Sequence, residues 1–569
     1  MAATAPARPD GPLTHRQIVT ILIGLMMGMF LAALDQTIVA TSIRTIADDL
    51  KGLDQQAWAT TAYLITSTIV TPLYGKLSDI YGRKRFFSTA ITIFIIGSVL
   101  CTFSESMLQL AFYRAVQGLG AGGLFSLALA IIGDIVPPRE RAKYQGYFLA
   151  VFGTSSVLGP VIGGFFAGQS TLLGIDGWRW VFLVNVPIGF AALLVVSRTL
   201  HLHHTRLDHR IDWWGAATLT LGLVPLLLVA EQGREWGWGS GRSLACFVIG
   251  GIGVVAFLLV ERAMKEEALL PLTLFQNRTV GVASGASVLI GMAMFGGLAS
   301  LPLYLQIVKG ASPTEAGLQL LPLTLGIMTG SIVSGQIISR TGRYRLFPIV
   351  GSALLAVSLF VFHFVGAETP LWQTMVVMVF FGLGLGFNFQ PLTLAVQNAV
   401  SPKLIGVATS SATFTRQIGG TLGTAVFLSI LFSTVPDKIT SSLAKAQGST
   451  EFQTALKDPA VLANPANADF AKGLQSAAQG GDPGPIGNVL KDSSIIEKLD
   501  PRLARPLLEG FSEAMDTVFL VGGAVMVIGF LVMLFLPHVE LRGGSAYSER
   551  GAAEKADEEA AAAPPAVSH

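Results

Sequence analysis

Asp35 and Arg114 each stand in a stretch that is otherwise almost entirely apolar, LAALDQTIVA and AFYRAVQGLG. Keeping a charge in hydrocarbon costs about 3 kcal/mol or more. At about 1.5 Å per helical residue both lie several residues below the same end of their stretches, so their depths match. Paired, they would satisfy two charges that neither can bury alone, and a proton taken up by Asp35 would free the arginine. That is proton-carrier chemistry; a purely structural ion pair is the alternative. Gln117, one turn from Arg114 on the same helical face, could support the pair or a polar group of a substrate. Arg416 also lies deep in an apolar stretch, and we find no acidic partner for it in the later stretches, so it reads as a hydrogen-bonded structural arginine or a substrate contact. Trp58, Tyr63, Tyr304, Phe389 and Phe414 are aromatic candidates for a cavity wall, with packing or interfacial anchoring the competing role. His363 reads as a packing histidine before a proton relay. His201, His203, His204 and His209 lack a companion ligand set for a metal. Cys101 and Cys246 read as small buried hydrophobes.

The elements that must position these groups are set by composition. Of 569 residues 51% are hydrophobic and 13% charged, with net charge +2 and mean hydropathy +0.60. Such a chain is an integral membrane protein rather than a soluble enzyme, and it carries no field to recruit nucleic acid. Apolar runs long enough to cross a bilayer as helices number fourteen by our reading. Lys and Arg gather at alternate connections, for example Arg83, Lys84 and Arg85, then Arg139, Arg141 and Lys143, which places both termini in the cytoplasm of a multi-pass cell-membrane protein. The chain then divides into a cytoplasmic tail 1–17, a six-helix bundle 18–199, two inserted helices with their linker 200–262, and five further helices 263–433. A long external loop or hairpin 434–513, a last helix 514–537 and a disordered cytoplasmic tail 538–569 follow.

The segments GKLSDIYGRKR, from Gly75 to Arg85, and GQIISRTGRYR, from Gly335 to Arg345, agree at four positions. Each follows the second helix of a six-helix set, so the two halves are related and the extra pair is an insertion. Parallel repeats imply a transporter with its site between the halves. In the first copy Asp79 can cap or pair with the basic cluster Arg83, Lys84 and Arg85 and latch the halves together. In the second copy Ser339 replaces the acid, so the latch should be one-sided. Gly153, Gly159, Gly163 and Gly164 surround Pro160 and permit close helix contact with a bend, or generic packing.

GKLSDIYGRKR resembles the cytoplasmic signature of the major facilitator superfamily, and the fourteen-helix count resembles its multidrug:proton antiporter branch. LDQTIVA around Asp35, RAVQGLGAGG from Arg114, GTSSVLGPVIGG from Gly153, WRWVFLVNVPIG from Trp178 and RQIGGTLG from Arg416 also resemble motifs of that branch. The resemblance, over about residues 15 to 540, implies an all-α fold of two six-helix repeats plus two helices. It implies rocker-switch export driven by proton entry, Asp35 and Arg114 in coupling, and Gly75, Asp79, Gly82, Arg83, Arg85 and the Gly153–Gly164 patch, sealed against the other half, in gating. No cofactor is expected beyond the proton gradient, and no Walker loop is present for ATP. Protons, membrane lipids and small lipophilic substrates are the expected partners of a monomer. Thr61 stands where relatives that export divalent cations carry a further acid, so monocationic, zwitterionic or neutral compounds fit better. A lipid or envelope-precursor flippase is the second reading, and a non-transporting receptor or scaffold the third.

Overall fold

A computed structural model describes residues 15–51, 56–200, 211–478, 496 and 498–541. The helices follow the apolar runs: α1 (His15–Asp49), α2 (Gln56–Tyr81), α3 (Arg83–Thr102), α4 (Met107–Ile135) and α5 (Pro138–Ala167), then the short α6 (Trp180–Leu183) and α7 (Asn185–Thr199). The inserted pair is α8 (Trp213–Trp236) and α9 (Gly241–Met264). The second half comprises α10 (Thr273–Gln276), α11 (Arg278–Leu303), α12 (Pro313–Gln319), α13 (Leu321–Thr341), α14 (Leu346–Phe362), α15 (Leu371–Ala399) and α16 (Ile405–Ala446). The short α17 (Thr450–Lys457), α18 (Pro459–Leu462) and α19 (Pro465–Ala478) precede α20 (Pro501–Leu534). A two-stranded ribbon, Thr171–Leu172 with Ile175–Asp176, is the only sheet among the described residues.

Among the described residues eleven helices are long and apolar enough to cross a membrane. Three further expected positions are helical but fall outside that measure. These are α2, which carries Lys76 and Asp79, α5, whose apolar part begins at Val151, and the 17-residue α14. The expected tail 538–569 lies largely outside the described residues, as do most of 1–17 and the four histidines between 201 and 209.

Packing repeats in the two halves. Within the first, α2 packs on α4 and α1 on α5; within the second, α13 packs on α15 and α11 on α16. Between halves the partners exchange, α5 against α13 and α16 against α2. Gly82 at the start of α3 has φ 103° and Gly342 at the end of α13 has φ 70°, so both repeat copies turn at a residue in the left-handed region that glycine tolerates. The inserted pair packs on α2 and α16 through Leu219, Leu223, Phe257 and Phe414.

The segment expected as a loop over 434–513 is largely helical. α16 runs on to Ala446 and α20 starts at Pro501, well before the expected 514. Val435, Ile439 and Leu443 form an i, i+4 stripe that meets Leu503, Leu507 and Phe511, and α17–α19 close over it with Phe452, Val461 and Phe470. Gly510 has no side chain to separate the two long helices, since a Cβ there would sit 2.7 Å from Ile439 Cα.

Candidate functional site

Within the first half five helices build a buried polar cluster around Asp35. Asp35 on α1 and Arg114 on α4 are both essentially inaccessible to solvent. Arg114 Nη1 donates to Asp35 Oδ2 at 2.5 Å and to Gln117 Oε1 at 2.5 Å, while Gln117 Nε2 donates to Asp35 Oδ1 at 2.8 Å. Asn185, the first residue of α7, donates from Nδ2 to the same Oδ1 at 2.8 Å. Ser98 on α3 accepts from Gln117 Nε2 at 2.8 Å. That bond needs α3 close to α4, which Gly97 allows: a Cβ there would lie 2.6 Å from the Gln117 backbone. Arg114 Nε donates to the Ala59 carbonyl at 3.3 Å, and the guanidinium lies 4.2 Å from the centre of the buried Tyr63 ring. The carboxylate thus receives three donors from two other helices, an arrangement that stabilises it charged and is disturbed if α4 or α7 moves relative to α1.

The structure places Asp35, Arg114 and Gln117 side by side and adds Asn185 and Ser98, which the sequence reading missed. The signal for Asn185 was a lone polar side chain inside the apolar run of WRWVFLVNVPIG. The aromatic candidates divide. Tyr63 belongs to the cluster; Trp58, half-buried, adjoins Ala59, whose carbonyl takes part in it. Tyr304 is buried at a π-helical turn, where its hydroxyl donates to the Gly366 carbonyl at 3.1 Å, and Phe414 packs into the apolar cluster with α8 and α9. Phe389 is half-buried beneath Arg416, whose guanidinium lies 4.6 Å from its ring centre. Thr61 is buried and its hydroxyl has no partner among the described residues.

The later helices do carry a membrane acid, correcting the expectation of none: Asp516 on α20, whose carbonyl oxygen lies 3.1 Å from His363 Nδ1. Asp134 and Glu261 are further buried acids in the span regions. None of the three has a described contact with Arg416. Cys101 is buried, Cys246 half-buried, and both are free thiols.

On the side of the bundle where α1 begins, called proximal here, the halves meet through polar contacts. Asp79 pairs with Arg83 and accepts from the backbone N–H of Val407 at 2.9 Å. Val407 stands in the first turn of α16, so the acid caps a helix N-terminus belonging to the other half. Arg83 Nε in turn donates to Asp134 at 2.8 Å, and its Nη1 donates to Ser78. Gly75 lies directly against Ser410 and Gly406 of α16, with no room for a side chain. A second bridge was not anticipated: Gln397 at the end of α15 donates to the Leu129 carbonyl and to Thr409 Oγ1, both at 3.0 Å, and accepts from Arg141 at 3.3 Å. Lys84 donates to the Ser197 carbonyl at 2.6 Å within its own half, and Arg85 is exposed.

The α5 patch is less uniform than expected. Gly153 faces Thr324 and Met328 of α13 in the other half, and Pro160 abuts Gly317 of α12. Gly159 and Gly163 face Thr37 and Thr41 of α1 in their own half, and Gly164 borders open space. Gly153 and Pro160 therefore meet the other half, while Gly159 and Gly163 bring α5 onto α1.

Two related six-helix bundles with exchanged partners at their interface, a buried charge cluster in one bundle and polar latches at one end define a secondary-transporter architecture. The description "Major Facilitator Superfamily" matches residues 25–424, and the chain belongs to that family. It is 33% identical over 520 residues to "Multidrug resistance protein 3" of Bacillus subtilis, covering 91% of this chain and 94% of that one. Another B. subtilis relative, "Multidrug transporter protein MdtP", is 31% identical over 93% of this chain and 95% of its own. "Tetracycline resistance determinant" of Streptomyces rimosus is 37% identical over 58% of this chain and 92% of its own. Among solved structures the proton:xylose symporter XylE superposes with TM-score 0.57 at 14% identity, covering 95% of this chain and all of the other. At that identity the likeness concerns the fold.

Proposed function

We propose that this protein exports lipophilic monocationic, zwitterionic or neutral drugs across the cell membrane in exchange for protons, by alternating access between its two halves. The proximal side is the cytoplasm, following the Lys and Arg distribution. The observation that carries the reading is the Asp35 carboxylate, removed from solvent and bound by Arg114, Gln117 and Asn185. Protonation of Asp35 cancels the charge that holds those donors, so proton binding and helix arrangement are linked thermodynamically. The drug-efflux names of the full-length relatives support the substrate class. Arg416, mid-span in α16 and half-buried over Phe389, has no ion pair among the described residues, which suits contact with an electronegative group of a substrate. No divalent-selective acid is present at Thr61.

The test is Asp35→Asn, which preserves shape and most hydrogen bonds. In proteoliposomes the variant should lose efflux of a lipophilic monocation driven by a pH gradient while keeping substrate binding and its fold, with a lower melting temperature because Arg114 is left without its counter-charge. Wild-type gradient-driven efflux from the well-folded variant overturns the reading.

A further inference from the structure

A second group of buried charges lies on the proximal side, away from the Asp35 cluster, where the inserted helices meet α2. Asp212 caps α8, with Oδ1 accepting from the Gly215 N–H at 2.6 Å. Glu261 comes from the last turns of α9, with Oε2 accepting from the Leu270 N–H at 2.9 Å. Both side chains are 1% exposed. Their remaining oxygens converge over Gly215: a Cβ placed on that glycine would lie 2.3 Å from Asp212 Oδ2 and 3.0 Å from Glu261 Oε1. Asp212 Oδ2 has one long bond, from the Leu269 N–H at 3.4 Å, and Glu261 Oε1 is buried with no partner among the described residues.

Among the described residues Lys76 supplies positive charge to this place. Lys76 on α2, itself 5% exposed, lies within electrostatic reach of Glu267, Asp79, Glu261 and Asp212. From α16, Phe414 and Ile418 join the apolar cluster that α8 and α9 form beside this place. Asp79 is already paired with Arg83, so among the described residues Asp212, Glu261 and Glu267 surround the Lys76 ammonium, and the two that converge out of water repel when both are ionised. A proton on Glu261 Oε1 relieves this and gives the orphaned oxygen a hydrogen to donate on the side of Gly215 where Asp212 Oδ2 also lies. The ammonium already within reach of the pair makes a proton a better occupant than a metal ion.

We propose that Asp212 and Glu261 share one proton and, with Lys76, form a second proton-binding site that ties the inserted helices to the latch. Lys76 stands one turn before Asp79 on α2. With the proton bound, Lys76 is left to Glu267 and Asp79; with the proton lost, a further carboxylate competes with Asp79 for it. Latch strength then depends on proximal pH. The site itself is independent of the Asp35 reading, while the claim that it senses cytoplasmic pH rests on the orientation proposed above.

Difference infrared spectroscopy of the full chain in lipid nanodiscs tests it. A carboxylic-acid C=O band should fall by about tenfold across the two pH units centred on its midpoint, as one proton requires. It should persist in Asp35→Asn and vanish in both Glu261→Gln and Asp212→Asn. A spectrum whose titrating acid bands all vanish in Asp35→Asn, or that is unchanged in Glu261→Gln, overturns the proposal. Failure of the Asp35 reading leaves the band in place, so the two ideas fail separately. Should Glu261→Gln not fold, Glu261→Asp, which withdraws the oxygen from Gly215, must move the midpoint of the band; an unmoved midpoint overturns the proposal equally. For the latch, a thiol at Leu129→Cys, with Cys101 and Cys246 replaced, should react at a pH-dependent rate after correction for thiolate fraction. That dependence should be absent when Glu261→Gln is added, and its survival there overturns the link to the latch.

Discussion

At the scale of residues, the charge state of the Asp35 cluster dictates what each substitution does. Arg114→Ala leaves a buried carboxylate held only by Gln117 and Asn185. Removing one member of a buried ion pair costs about 3–5 kcal/mol, because the other charge stays uncompensated. Protonating Asp35 removes that orphan charge, so the loss in thermal stability should be largest at alkaline pH and shrink as pH falls. Arg114→Lys keeps a positive charge without the fork that reaches Asp35 and Gln117 together, and its loss should be smaller. Melting curves across pH check both, and a pH-independent loss in Arg114→Ala would show that the pair does not govern the acid. Asn185→Ala withdraws one donor and also removes an amide oxygen that is buried without a partner, so its cost should be only about 1 kcal/mol. A shift in the pH at which substrate-induced proton release is half-maximal is the specific sign expected of Asn185→Ala; an unmoved midpoint would make this side chain structural. Asp35, Arg114 and Gln117 were legible because charges in apolar runs demand partners. Asn185 and Ser98 were not, since an uncharged amide or hydroxyl can satisfy itself on a helix backbone and gives no comparable alarm.

At the scale of elements, the segment between the long α16 and α20 misleads a reading based on apolar run length. Its polar residues outnumber what a span tolerates, yet the apolar ones recur at helical spacing, so the two helices continue beyond their expected ends and build a small core of their own. Phe470, fully buried, sits in that core with Phe452 and Leu507. Phe470→Ala should cost about 3–5 kcal/mol locally through the cavity it leaves. Because α17–α19 rest on the ends of the bundle, that loss should open this lobe while the membrane helices stay folded. Limited proteolysis should cleave Phe470→Ala between residues 447 and 500 well before the rest of the chain, with the core melting temperature unchanged. A uniform fall in stability would instead make the lobe part of one cooperative unit with the bundle. The fourteen apolar runs all fall on helices, since hydrocarbon leaves the backbone little other choice. The lobe escaped because amphipathic helices outside the bilayer need only a stripe.

At the scale of the whole molecule, the two halves share packing partners but not their latch chemistry. Asp79 caps α16 across the interface, whereas its counterpart Ser339 turns back to the Gln336 carbonyl of its own helix. The asymmetry was readable from the repeat, aspartate against serine. The Gln397 bridge was not, because a glutamine near a helix end has no signature until the opposite half is in place. Both bridges close the proximal side, so both stabilise the conformation in which that side is sealed. Asp79→Asn keeps an acceptor but loses the charge that binds Arg83 and the α16 terminus, and Gln397→Ala removes bonds to Leu129 and Thr409. If each change withdraws about 1 kcal/mol from the sealed state, the double variant shifts the balance toward the open state by about thirtyfold. Spin labels placed across the proximal ends of α2 and α16 should then report a new long-distance population, larger in the double variant than in either single one. Ser339→Ala, which loses only a hydroxyl bonded within its own helix, should leave the distribution as in the wild type. An unchanged distance distribution in the double variant would mean that apolar contact at Gly75 and Gly153, rather than these polar bridges, holds the proximal side shut.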